Sequence, residues 1–88
     1  MQIHFFAAAR AAAGVAETQC QISQLPEPTL TALLNHLRQT LTGATPSGQS
    51  LVDILPQCSF LLDGRASPAD ASLEGVQRLD VLPPFAGG

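Results

Sequence analysis

The sequence predicts an α+β domain in which one main helix packs on one face of a mixed β-sheet. Three observations point there. The segments Gln2 to Ala8 and Gln77 to Leu82 alternate with a period of two residues. Between them, Leu30, Leu33, Leu34, Leu37 and Leu41 fall at helical spacing and form one apolar stripe. Asp63-Gly64 is a strong hairpin turn signal.

In chain order, the first strand places Gln2, His4 and Phe6 on one face and Ile3, Phe5 and Ala7 on the other. The alanine-rich run Ala9 to Ala13 forms a short helical turn, and Gly14 ends it. Glu17 to Ser23 alternates again, with Thr18, Cys20 and Ile22 facing inward. The connection is short enough for antiparallel pairing with the first strand. After Pro26 and Pro28, Thr29 is placed to cap the main helix, which Gly43 is expected to end. Thr42 to Gln49, with Pro46 and Gly48, reads as a polar, mobile loop. Ser50 to Leu55 reads as a one-turn helix closed by Pro56, and Cys58 to Leu62 as a strand that turns at Asp63-Gly64 into a short return at Arg65 to Ala66. Ser67 to Gly75 is a loop anchored in the core by Leu73. In the last strand Leu79 and Val81 face one way, and Arg78, Asp80 and Leu82 the other. Residues 1–82 form the domain and 83–88 the tail, in which Pro83-Pro84 cannot continue a ladder and prefer an extended path.

Composition excludes several functions. At 88 residues this is a single small domain, and 45% hydrophobic residues argue against disorder. A net charge of −3 is wrong for a nucleic-acid binder. The apolar stretch Ile3 to Val15 is interrupted by His4 and Arg10 and falls short of the roughly 20 residues of a membrane span. No cationic leader precedes it, so a cytoplasmic protein without membrane contact is expected. Cys20 and Cys58 read as buried thiols rather than a disulfide or metal pair. All four cations are arginines (Arg10, Arg38, Arg65, Arg78), so no side chain offers an ε-amine. The chain can donate its terminus to another protein but cannot receive one through a lysine.

Catalytic constellations are missing from the sequence. His4 and His36 stand alone on polar faces, and the carboxylates are scattered, with Asp63 and Asp70 explained by turn or loop roles. No phosphate loop or metal-ligand cluster is visible, and no resident cofactor is expected.

Chemistry therefore concentrates in the ending Leu82-Pro83-Pro84-Phe85-Ala86-Gly87-Gly88. Glycine suits a backbone that must pass where a Cβ would not fit. Six residues from Pro83 to Gly88 reach at most ~20 Å, far enough to enter a neighbouring active site. A carboxylate is a poor electrophile because its charge repels nucleophiles and it lacks a good leaving group. Joining it to AMP removes both obstacles, and a partner enzyme would supply ATP, Mg²⁺ and the charge-stabilising groups. Sulfide from a persulfide donor can then displace AMP and leave a thiocarboxylate.

This ending, the opening Ile3-His4-Phe5-Phe6-Ala7, the helix start Thr29-Leu30 and the Asp63-Gly64 hairpin resemble the ubiquitin-like sulfur carriers of the MoaD/ThiS family. The likeness is greatest to the MoaD type, the small subunits of molybdopterin synthase, and it covers essentially the whole chain. It implies a ubiquitin-like β-grasp with an extended C-terminal Gly-Gly tail. It also implies that Gly88 is adenylated by an E1-like (MoeB-like) adenylyltransferase. A rhodanese or cysteine desulfurase then provides the sulfur for the thiocarboxylate. The charged tail, through Pro83, Pro84, Phe85, Ala86 and Gly87, would enter the MoaE-like large subunit and give sulfur to cyclic pyranopterin monophosphate. On this reading most catalytic groups lie in the large subunit, and the chain is a co-substrate. The same tail chemistry also fits carriers for thiamin thiazole, cysteine or tRNA thiolation, and a ubiquitin-like protein modifier.

One departure from the family pattern is visible. Many members have Gly-Asp just before the last strand, whereas here Gly75 lies one residue further upstream and is followed by Val76. In a β-grasp sheet the first and last strands are parallel neighbours. Phe6 and Leu82 are then expected to form an exposed apolar patch for a partner beside the tail.

Overall fold

The computed structural model describes residues 1–84. Five strands form one mixed sheet in the order β2-β1-β5-β3-β4. They are β1 (Gln2–Phe5), β2 (Glu17–Gln19), β3 (Ser59–Leu62), β4 (Arg65–Ala66) and β5 (Arg78–Leu82). β1 runs parallel to β5 and antiparallel to β2, and β3 is antiparallel to both β5 and β4. The helices are α1 (Ala7–Ala13), α2 (Leu30–Thr40) and α3 (Leu51–Ile54), with 3₁₀ turns at Ile22–Gln24 and Leu55–Gln57. This is the expected β-grasp, with the last strand at the centre of the sheet and the first strand beside it.

The core lies between the sheet and α2. Ile3, Phe5, Leu79 and Val81 project from the inner face of the two central strands. They are buried together with Leu30, Leu33, Leu34 and Leu37 of α2 and with Leu51, Leu55 and Leu73. The leucine stripe is thus core, and its last member, Leu41, packs partly buried at the margin. The Thr29 hydroxyl accepts a hydrogen bond from the Ala32 backbone N–H at 3.3 Å, as a helix cap should. Leu73 is fully buried, and the loop around it is tied to the start of α2. Leu30 N–H donates to the Ala71 carbonyl and Leu73 N–H to the Pro28 carbonyl.

The structure corrects several element boundaries. The first strand stops at Phe5, because Ala7 and Ala8 join α1. Alanine has the highest helix propensity and little preference for strands. Phe6 remains extended, and its N–H still donates to the Val81 carbonyl at 3.2 Å. β2 is three residues long, and the chain then curls into the Ile22–Gln24 turn. Gly43 does not end α2. That helix closes at Thr40 with extended Leu41 as its cap, and Gly43 instead presses on the end of α1. The segment from Thr42 to Gln49 is a tied turn: Thr45 is buried, its N–H donates to the Gln49 carbonyl, and its hydroxyl accepts from the Gln49 N–H. Pro56 lies inside the 3₁₀ turn that follows α3.

The Asp63-Gly64 turn forms as read, with φ +49° and +83° at the two residues. Both signs are those of a type I′ hairpin, whose twist matches its flanking strands. Among the described residues no helix is long and apolar enough to cross a membrane.

Candidate functional site

The candidate site is where the chain leaves the sheet after β5. β5 ends at Leu82, and Pro83 and Pro84 follow, the first half-buried and the second exposed. They form one wall of a shallow groove of about 460 Å³, completed by Phe6, Ala7, Ala8, Ser59 and Leu82. Register brings these residues together. Phe5 pairs with Val81 across the parallel ladder, so Phe6 comes level with Leu82, and Ser59 lies opposite Leu82 across β3.

Phe6 is 40% exposed, a large aromatic surface left to solvent at the groove. Its position is set by a sharp change of direction. Phe6 is extended, whereas Ala7, the first residue of α1, has φ +50°. A left-handed conformation costs an L-residue roughly 1–2 kcal/mol, and here it turns the chain from strand into helix within one residue. Ala9 N–H closes the turn onto the Phe6 carbonyl at 3.0 Å.

The outer face of the sheet is divided along its length. At the end far from the tail it is polar. Gln2 pairs with Arg78 and His4 with Asp80 in register, the Arg78 guanidinium Nε meets Asp80 at 2.7 Å, and His4 Nδ1 lies 3.6 Å from Glu17. Toward the tail it becomes apolar through Leu82 and Phe6, while Leu61 lies level with Asp80. His4 and His36 are half-buried and stand apart from each other on β1 and α2.

Asp63 holds β5 in place. Its carboxylate accepts from the Gln77 N–H at 3.2 Å and from the Arg78 N–H at 3.0 Å, while its own N–H donates to the Arg78 carbonyl. The turn residue therefore supplies the acceptor at the entrance to the last strand, where the chain has Val76 in place of an aspartate. Gly75 adopts φ +76°, and Val76 N–H closes on the Leu73 carbonyl.

Of the residues singled out from the sequence, Phe6, Leu82, Pro83 and Pro84 share one groove. Phe85, Ala86, Gly87 and Gly88 lie outside the described residues. Ala7, Ala8, Ser59 and Leu61 were not singled out. Ser59 and Leu61 become visible only once the β3–β5 register is known, and the two alanines only once α1 is seen to begin at Ala7. Both thiols are poorly ionised. Burial pushes Cys58 up to about 11 and raises Cys20, and the Cys58 thiol donates to the Ile54 carbonyl at 3.3 Å. Among the described residues no group of three or more His, Cys, Asp or Glu could hold a metal ion.

A family model described as the ThiS family matches residues 3–88. The crystal structure of SAMP1 from Haloferax volcanii shares the fold, with a TM-score of 0.71 at 17% identity, over 99% of this chain and 97% of that one. No curated protein sequence matches the chain significantly.

Proposed function

The chain belongs to the ThiS family of ubiquitin-like sulfur carriers, and from that membership we propose that it is the sulfur-carrying small subunit of a molybdopterin synthase. Proteins of this family work with E1-like activating enzymes and with partner enzymes that use the sulfur. Here the Gly88 carboxylate would be adenylated and converted to a thiocarboxylate. It would then deliver sulfur to cyclic pyranopterin monophosphate in the active site of a large subunit.

The observation that supports this reading is the apolar groove at the root of the tail. Pro83 and Pro84 emerge beside exposed Phe6 and half-buried Leu82, and the sequence continues Phe85-Ala86-Gly87-Gly88. A paired aromatic and aliphatic surface at this point offers a partner something to grip while the tail is threaded. The chain itself brings few reactive groups to the groove. Its parts in the reaction are to bind a partner through Phe6 and Leu82, to direct the tail through the two prolines, and to present a carboxyl without a side chain beside it. ATP and Mg²⁺ belong to the activating partner.

Intact-mass analysis tests the reading. The full chain is incubated with an E1-like adenylyltransferase, ATP, Mg²⁺, a persulfide donor and a thiol reductant that cleaves the acyl disulfide formed when the persulfide displaces AMP, and the expected product is heavier by the difference between sulfur and oxygen. The charged chain is then given to a molybdopterin synthase large subunit with the cyclic pyranopterin, and dithiolene formation is expected. No mass gain would overturn the carrier reading. A mass gain without dithiolene, but with sulfur delivered to a thiazole-forming enzyme, a cysteine-forming enzyme or a tRNA-thiolating enzyme, would keep the carrier and replace the pathway.

A further inference from the structure

An activated carboxyl is dangerous to the protein that bears it. Attack by an amine or thiolate on the Gly88 acyl carbon forms a C–N or C–S bond and breaks the C–O bond to phosphate. AMP leaves, and an attacking amine gives its proton to water. Resting on the carrier reading, we propose that this chain is a self-inert acyl donor, with its amines and thiols either replaced or sequestered so that the activated tail is kept for an external sulfur nucleophile.

Four observations converge on it. The positive charge is carried on α1, α2, β4 and β5 by Arg10, Arg38, Arg65 and Arg78 alone. A guanidinium keeps its proton and offers no amine lone pair, whereas a lysine in the same place would be an acceptor. The remaining amine, at Met1, donates to the Cys20 carbonyl at 3.0 Å in a half-buried position. It lies beside the start of β1, and the tail leaves from the far end of the parallel strand β5. Five residues of strand separate the two levels, roughly 16 Å, so most of the tail's ~20 Å reach would be spent doubling back.

The thiol closest in sequence to the tail root is Cys58, adjacent to the groove residue Ser59. It is turned inward, donates to the Ile54 carbonyl and is held protonated by burial. Cys20 is buried outright. Residues 85–88 add no nucleophilic side chain.

The test uses the full chain carrying a C-terminal thioester, made by intein cleavage and kept at mildly alkaline pH. Intact mass and denaturing gels then follow its fate. The expected fate is hydrolysis alone, with no covalent dimer near twice the 9.2 kDa of the chain and no internally acylated product. Added free cysteine should consume the thioester promptly. Arg10→Lys introduces one amine a turn along α1 from Ala7, which lines the groove, and so within the tail's ~20 Å reach. It should create both self-adducts, mapping to position 10 or to another copy's position 10. Self-adducts of the parent chain would overturn the proposal, and so would an Arg10→Lys chain that stays as inert as the parent. Because the loading is chemical, either failure is distinct from a missing mass gain with ATP and the activating enzyme, which would count against the carrier reading itself.

Discussion

A Cβ on Gly43 would stand 2.5 Å from the backbone nitrogen of Gly14, and within 2.7 Å of the Ala11 and Ala12 carbonyl oxygens. All three atoms are backbone at the C-terminal end of α1, so none can swing aside. Gly43→Ala should therefore cost about 1–3 kcal/mol, the usual range for overpacking against an unyielding neighbour. Urea unfolding measures it, and a midpoint equal to that of the parent would show that α1 can shift freely.

Asp63 grips the start of β5 through two backbone N–H groups. Asp63→Ala removes the acceptor and puts a Cβ-bearing residue without turn-stabilising polarity at φ +49°. A loss of about 1–2 kcal/mol is expected from those charged hydrogen bonds at an exposed site. Asp63→Asn should recover part of it, since asparagine tolerates the left-handed region and keeps one acceptor oxygen. Equal stability of the Ala and Asn variants would contradict the clamp.

The fold was legible in the sequence wherever local pattern and tertiary need agreed. Leu79 and Val81 alternate because one face of β5 is buried, Thr29 caps because an orphan N–H lies three residues on, and Asp63-Gly64 turns because both residues tolerate positive φ. Where the cause was a distant neighbour, local reading failed. Gly43 looks like a helix terminator, but its lack of a side chain is required by α1, a different element. Alternation extended the first strand to Ala8, whereas alanine's own preference starts the helix at Ala7. At the candidate site Phe6 and Leu82 were legible through the parallel pairing of first and last strands. Ser59 and Leu61 needed a register that no local pattern encodes.

Phe6→Asp should weaken binding to the partner that takes the tail while leaving the thermal transition near that of the parent, because Phe6 is largely outside the core. A loss of about 2 kcal/mol or more, some 30-fold in Kd, is the scale for a central aromatic anchor. Calorimetric titration with the proposed partner, a molybdopterin synthase large subunit, reads it directly. Unchanged affinity in a normally folded variant would remove the groove from the docking surface.

Alkaline stability should report the thiols almost alone. The sequence has no tyrosine and no lysine, so few other groups titrate between pH 9 and 11. Cys58 is raised from 9.0 to about 11 in the fold. Below pH 9 both states keep the proton and the contribution is fully present. Between pH 9 and 11 the unfolded chain ionises first, so stability falls as pH rises. For this half-buried thiol the loss is on the order of 1 kcal/mol once partial solvent exposure is allowed for. Cys58→Ser should flatten that limb in a set of denaturant curves, and an unaltered slope would locate the titration elsewhere.

The turn at Ala7 can be relaxed independently. Ala7→Gly removes the left-handed penalty at φ +50° and should stabilise the domain by about 0.5–1 kcal/mol after the added freedom of the unfolded chain is subtracted. A lower melting temperature would mean that the Ala7 methyl group matters more to the groove than the strain does.

The central position of β5 also has a mechanical meaning. A tail drawn into another protein pulls along the axis of the strand from which it emerges. That strand is laced to β1 on one side and β3 on the other. Its ladder hydrogen bonds run across the direction of pull, so they resist as a group in shear rather than opening one after another like a zipper. The domain can thus bear tension applied through its last strand, and unfolding by force applied to the tail should need far more load than peeling the short edge strand β4.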